Sequence, residues 1–139
     1  METQREVSVL IPYKIKNRQI LVFLQKREKD RKVLPGHFAF FGGKLEEGES
    51  PEQALEREIK EELCFDLKEY KLLGKYFFGE WSGSVYFLKV GDDFESQIKV
   101  MEGEYGKFFS QQEVSDELMI IGEDKSIIKD LYQRLKKEL

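Results

Sequence analysis

An α/β fold with a mixed β-sheet held between helical layers follows from three features of this 139-residue chain. Apolar, β-rich runs open it, a strongly periodic helix stands in its middle, and further strands precede a second periodic helix near its end. Residues 7–16 and 19–26 read as paired strands turning near Asn17-Arg18. A polar loop over 28–37 follows, then a short strand over 38–41 that runs into a Gly42-Gly43 turn and a loop to Gly48. Ser50 is a good N-cap, Pro51 suits the first helical position and Gln53 completes a capping box, so a helix runs from about 51 to 63. Leu55, Ile59 and Leu63 form its buried stripe. Strands are predicted at about 70–79 and 83–90 around a turn at 79–83, with another short strand at about 105–109. Ser110 with Glu113 offers a second capping box, and Ile127, Ile128, Leu131 and Leu135 give a helical stripe over about 123–138. No internal repeat is evident.

Composition bounds the functional class. The length suits a single domain over 1–139, and 36% of residues are charged without a low-complexity run. One cysteine, Cys64, forbids an internal disulfide, the opening METQREVSVL lacks a signal-peptide pattern, and no apolar run has membrane-spanning length. A cytoplasmic protein with no membrane partner is therefore expected. A net charge of −4 argues against a polymeric nucleic-acid partner, which calls for a basic face.

The acids of the central helix are the chain's chemical oddity. From Glu46 to Glu62 there are eight acids (Glu46, Glu47, Glu49, Glu52, Glu56, Glu58, Glu61, Glu62) against two bases, Arg57 and Lys60. Glu58, Glu61 and Glu62 recur at three and four residues, which stacks like charges on one side of a helix and destabilises it by about 0.2–0.5 kcal/mol per pair. A hard divalent cation with oxygen ligands would neutralise that field. An ordinary solvated amphipathic helix also looks like this run, so the glutamates alone do not decide the matter.

The surrounding spacing does. Gly43, Glu49 six residues on, Arg57-Glu58 eight residues after that, Ile59, Glu61-Glu62 and an apolar Phe65 match the signature of the Nudix hydrolases, which the 23-residue segment from Gly43 to Phe65 closely resembles. Cys64 is the one departure, standing where the family has glycine. A glycine there serves a left-handed turn after the helix, so a residue with a Cβ costs roughly 1–2 kcal/mol. Cys64 is expected to be a small buried filler.

The resemblance implies the Nudix α/β/α sandwich and a pyrophosphohydrolase that cleaves the diphosphate linkage of a small-molecule nucleoside diphosphate derivative, with Mg²⁺ or Mn²⁺ as cofactor. It implies that Glu58, Glu61, Glu62 and the Gly43 carbonyl hold the metal, that Glu58 is a candidate base, and that Arg57 pairs with Glu49 to keep the cluster in register. A further loop acid is expected from Glu102, with Glu104 as its alternative, and Arg27 resembles the family's basic residue near substrate phosphates. Solvated loop glutamates and a surface arginine are the plainer readings of these three. Base-stacking candidates are numerous (Tyr13, Phe23, Phe40, Phe77, Phe78, Trp81, Tyr86), most of them expected in the core, with Trp81 in a turn as the most exposed. His37 is expected at the surface. Phe41 stands where members that clean oxidised nucleoside triphosphates commonly have proline, and no proline follows Pro51 where ADP-ribose hydrolases tend to carry one, which weakens both assignments. The alternative is a catalytically silent nucleotide-binding or regulatory module on the same fold; an intact acid set speaks against it. A homodimer is compatible with the sequence.

Overall fold

Two strands joined by a two-residue turn begin the fold in this computed structural model, which describes residues 5–78 and 80–139. Strand β1 (Arg5–Lys16) meets β2 (Gln19–Lys26) with Lys16 opposite Gln19. Asn17 and Arg18 have φ of 52° and 61°, the left-handed pair whose twist matches that of the strands it joins.

The two strands then diverge. Antiparallel pairing between β1 and β2 covers only Tyr13–Lys16 of β1, while the Val7–Leu10 half of the same edge pairs with β4 (Phe41–Lys44). From Val22 onward, β2 pairs with β7 (Tyr105–Phe109) and, at Gln25 and Lys26, with β3 (Phe38–Ala39). The segment expected as one strand over 38–41 is thus two strands broken at Phe40, one on each side of the gap between β1 and β2. Gly42 and Gly43, expected in a turn, belong to β4. Gly42 has φ +132°, and a Cβ on it would stand 2.1 Å from the Ser8 carbonyl oxygen, so only glycine lets this strand lie against β1.

On its other edge β1 runs parallel to β6 (Trp81–Lys89), which pairs antiparallel with the outermost strand β5 (Lys71–Phe78). The sheet is therefore mixed, in the order β3-β2-β1-β6-β5, with β4 added to β1 and β7 to β2. Trp81 is the first residue of β6 and half-buried, with the Arg5 and Lys44 cations each 5.4 Å from its ring. This corrects the exposed turn expected there, because parallel pairing of Arg5 with Trp81 extends the strand towards the turn. Among the base-stacking candidates with described side chains, Phe77 is instead the exposed one, at 67%. The Phe78 side chain and Gly79 lie outside the described residues.

Period-two alternation sends neighbouring strand residues to opposite faces. Ile11, Val22, Leu24 and Phe87 face a core closed by Val114 of α3 (Gln111–Asp116) and by Ile127, Ile128, Leu131 and Leu135 of α4 (Gly122–Leu135). Leu10, Phe23, Tyr86 and Leu88 face a second core closed by Leu55, Ile59 and Leu63 of α1 (Pro51–Leu63) and Phe94 of α2 (Phe94–Gln97). Each fully buried leucine or isoleucine contributes about 1.5–3 kcal/mol. The expected layers, both capping boxes and both helical stripes are present. The short α2 carries too little periodicity to be read in advance. No helix among the described residues is long and apolar enough to cross a membrane.

At the end of α1, Cys64 adopts φ 53°, ψ 38° and its N–H donates to the Lys60 carbonyl at 3.0 Å. The left-handed turn is retained without glycine, and the cysteine is exposed rather than the buried filler expected, since the αL residue turns the chain outward. Segment 98–101 then satisfies the helix's last carbonyls: Met101 N–H donates to Glu62 at 2.8 Å and Lys99 N–H to Leu63 at 2.9 Å.

Two substitutions test these backbone arguments by chemical and thermal denaturation. Cys64→Gly is expected to raise stability by about 1 kcal/mol, a melting increase of about 3 °C. Gly42→Ala is expected to lower it by about 3 kcal/mol or more, because Ser8 cannot move without opening the β1–β4 pairing.

Candidate active site

Two adjacent pairs one turn apart on α1, Arg57-Glu58 and Glu61-Glu62, lie beside β4. Glu58 and Glu62, one turn apart, face the Gly42-Gly43 backbone, while Arg57 and Glu61 lie along the neighbouring stripe. A Cβ on Gly43 would come within 2.7 Å of the Glu58 carboxyl carbon, so the Glu58 carboxylate rests directly against the glycine backbone. Gly42 N–H donates to Glu62 Oε1 at 3.2 Å.

Glu62 is the electrostatic focus. Its side chain is 1% exposed, and its Oε2 is buried without a hydrogen-bond partner. Burial pushes its pKa well above the ordinary carboxylate value, and the neighbouring Glu58 carboxyl and the charge of Glu102 push the same way, while the Gly42 N–H opposes them. An acid this deep, with one oxygen unsatisfied, is expensive unless a proton or a cation sits beside it.

Arg57 organises the outer rim. Its Nε and Nη2 donate to Glu49 Oε2 and Oε1 at 2.8 and 2.9 Å, a bidentate pair. Nη1 donates to Glu58 Oε1 at 2.9 Å, and Nη2 also reaches the Lys44 carbonyl at 3.1 Å. Glu46 Oε1 and Glu61 Oε2 each lie 3.6 Å from Nη1. The Glu49 carboxyl is lowered to about 2, first by the Arg57 hydrogen bond and then by the Glu46 N–H, which donates to it at 2.7 Å. Hydrogen bonding to Glu49 holds the guanidinium above its usual range.

Opposite this rim stands a loop anchored to β2. Gln25 Nε2 donates to the Glu102 carbonyl at 3.0 Å, and Glu104 N–H donates to the Lys26 carbonyl at 2.8 Å. Glu102 and Glu104 are both exposed, and the charge of Glu102 is near enough to Glu62 to raise its pKa. Arg27 Nε donates to the Val33 carbonyl at 3.0 Å, and its pKa is lowered by burial and by neighbouring Arg31 despite Glu28, Glu102 and Glu62 around it.

The predicted residues therefore fall into an inner group of Gly43, Glu58 and Glu62, a rim of Arg57, Glu49 and Glu61, and an opposing group of Glu102 and Arg27. Glu61 is 55% exposed and turned toward Arg57. His37 is half-buried, with Nδ1 3.0 Å from the Pro35 carbonyl. Among the described residues no three acids already converge as a ready-made cation cage, because Arg57 draws Glu58 and Glu61 toward itself. The donor set nevertheless fits a hard divalent cation: it is all oxygen, in excess of its local counter-charge, and includes the orphaned Glu62 Oε2. Gln25, Glu28 and Arg31 were not singled out from the sequence, and no local signal marks them.

Over residues 2–131 the chain matches the family model of the NUDIX domain, and it belongs to that family. A 40-residue stretch is 55% identical to nucleoside triphosphatase NudI of Enterobacter sp. (strain 638), covering 29% of this chain and 28% of that protein. The match thus spans little more than a quarter of the length of those curated relatives. The fold is similar to that of a MutT/nudix family protein from Enterococcus faecalis, with TM-score 0.80 and 14% identity, covering 99% of this chain and 64% of that one. It is similar also to the NUDIX domain of Shewanella oneidensis NrtR, solved with ADP ribose, with TM-score 0.77 and 15% identity, covering 97% and 90%. At these identities the likeness is one of fold.

The buried acid sets a pH dependence. Without metal, the folded protein keeps the Glu62 proton at a pH where the unfolded chain has released it, so stability falls as pH rises above the ordinary value of 4.5. Glu62→Gln is expected to remove that decline and to melt higher than the parent at about pH 8 in chelator. Added Mg²⁺ or Mn²⁺ is expected to stabilise the parent far more than the variant, read by thermal melts across pH.

Proposed function

We propose that the protein is a divalent-metal-dependent pyrophosphohydrolase of nucleoside diphosphate derivatives. The observation that carries this reading is the Glu58–Glu62 pair packed on the Gly42-Gly43 backbone with Glu62 Oε2 buried and unsatisfied. Nudix hydrolases generally use divalent metal ions, and here Glu58, Glu61, Glu62 and the Gly43 carbonyl would hold Mg²⁺ or Mn²⁺. Such a cation would supply charge screening on the diphosphate oxygens and would lower the pKa of the attacking water.

The chain's own groups do the rest. Glu58 or Glu102 takes the proton as water attacks phosphorus; one P–O bond forms, the bridging P–O bond breaks, and the leaving phosphate carries away its electron pair. Arg57 keeps Glu58 in register through its bidentate hold on Glu49, acting without touching substrate. Arg27, partly buried and next to Arg31, supplies positive charge for a substrate phosphate. Identity with a nucleoside triphosphatase over 40 residues supports nucleoside triphosphates as the first substrates to try.

The test is phosphate and diphosphate release with Mg²⁺ or Mn²⁺ across nucleoside triphosphates, nucleotide sugars, dinucleoside polyphosphates, ADP-ribose and NADH. Glu58→Gln and Glu62→Gln are each expected to lower kcat by about 100-fold or more, and Arg57→Lys by about 10–100-fold through loss of the bidentate pair. No turnover on any member of the panel, with nucleotide and metal still bound, would favour the silent-module reading.

A further inference from the structure

Glu28 lies outside the signature and at the start of a polar loop, yet its side chain reaches the segment that carries Glu102. Glu28 Oε1 accepts the Gly103 N–H at 2.5 Å, across 75 residues of sequence. Glu28 Oε2 lies 3.8 Å from Arg31 Nε, and Arg31 Nη2 lies 3.9 Å from Glu102 Oε2. The chain around Glu102 is pinned at three other points, by Met101 N–H on the Glu62 carbonyl, Gln25 Nε2 on the Glu102 carbonyl and Glu104 N–H on the Lys26 carbonyl. Gly103 itself has φ +79°, and a Cβ there would meet the Lys26 carbonyl oxygen at 2.6 Å. The turn is therefore pressed onto the end of β2, and among the described residues Glu28 is the side chain that bonds its central N–H.

We infer that Glu28 is a positioning residue: by binding the Gly103 N–H, with its charge placed 3.8 Å from Arg31, it holds the Glu102 carboxylate near the Glu58–Glu62 pair. Glu28 touches neither substrate nor metal. It acts through the backbone on one side of Glu102 and through a guanidinium on the other, so that the only freedom left to the Glu102 side chain is rotation about its own bonds. The 3.9 Å separation from Arg31 is loose enough for Glu102 to leave that partner when a cation arrives. The inference rests on the proposed metal-dependent hydrolysis and on Glu102 taking part in it.

The experiment compares the intact protein with Glu28→Ala, Glu28→Gln, Glu102→Gln and the double variant Glu28→Ala/Glu102→Gln. Two readouts are taken: kcat and KM on the best substrate of the panel, and Mn²⁺ affinity by electron paramagnetic resonance in the absence of nucleotide. Glu28→Ala is expected to lower kcat by about 10-fold or more with little change in KM. Glu28→Gln, whose amide oxygen can still accept the Gly103 N–H, is expected to recover most of that loss. The double variant is expected to be no worse than Glu102→Gln, since both changes disable one carboxylate. A cost for Glu102→Gln with none for Glu28→Ala, or strictly additive losses in the double variant, overturns the positioning role and leaves the hydrolase reading standing. A silent Glu102→Gln overturns the positioning role by removing its object. If no substrate turns over, the hydrolase reading fails separately, and the Mn²⁺ titrations decide: equal weakening by Glu28→Ala and Glu102→Gln supports the positioning role, and unequal weakening overturns it.

Discussion

The approach of the Gly42-Gly43 backbone to its neighbours is the constraint on which the site depends. On one side Gly42 lies so close to the Ser8 carbonyl that no Cβ fits, and on the other the Glu58 carboxylate occupies the space a Gly43 Cβ would need. Two bare residues in a strand therefore allow a helix to press its acids onto a peptide backbone. Ser8 secures the arrangement from beneath, since its buried Oγ donates to the Pro51 carbonyl at 2.7 Å and ties β1 to the start of α1. The apolar stripe of Leu55, Ile59 and Leu63 then supplies the energy that holds the acids in place against their mutual repulsion.

That repulsion is handled in two ways. At the rim Arg57 gathers Glu46, Glu49, Glu58 and Glu61 within 3.6 Å, so four carboxylates share one guanidinium. At the centre Glu62 has no such partner; a single backbone N–H serves one oxygen and nothing serves the other. A helix designed only for stability would place an apolar residue at that position. Local conflict of this kind, set within a well-satisfied frame, is what a functional site looks like.

The placement of the loop acid relative to α1 depends on how β1 and β2 separate. Pairing between them ends at Tyr13 and Val22, and the chain between β2 and α1 fills the gap by giving β3 to one strand and β4 to the other. β2 thereby turns its far end, with Gln25, Arg27 and the loop beyond, toward the end of α1. The segment before β7 docks there through Gln25 and Lys26 while also closing the end of α1 at Glu62 and Leu63. One stretch of backbone thus links the C-terminal end of the acidic helix to the loop acid.

Local interactions were legible in the sequence, and distant ones were not. Ser50 with Gln53, Ser110 with Glu113 and the Asn17-Arg18 turn act over three or four residues, so their residue types alone announce them. The spacing of Gly43, Glu49, Arg57, Glu58, Glu61 and Glu62 named the family and the acid cluster for the same reason: most of it lies on one helix and the loop leading into it. What the tertiary structure decided was the break at Phe40, the inclusion of Trp81 in β6, the outward turn of Cys64, and the contacts of Gln25 and Glu28 with residues 77 and 75 positions away. Those depend on which surfaces the packed sheet brings together, and no pattern within a few residues carries that information.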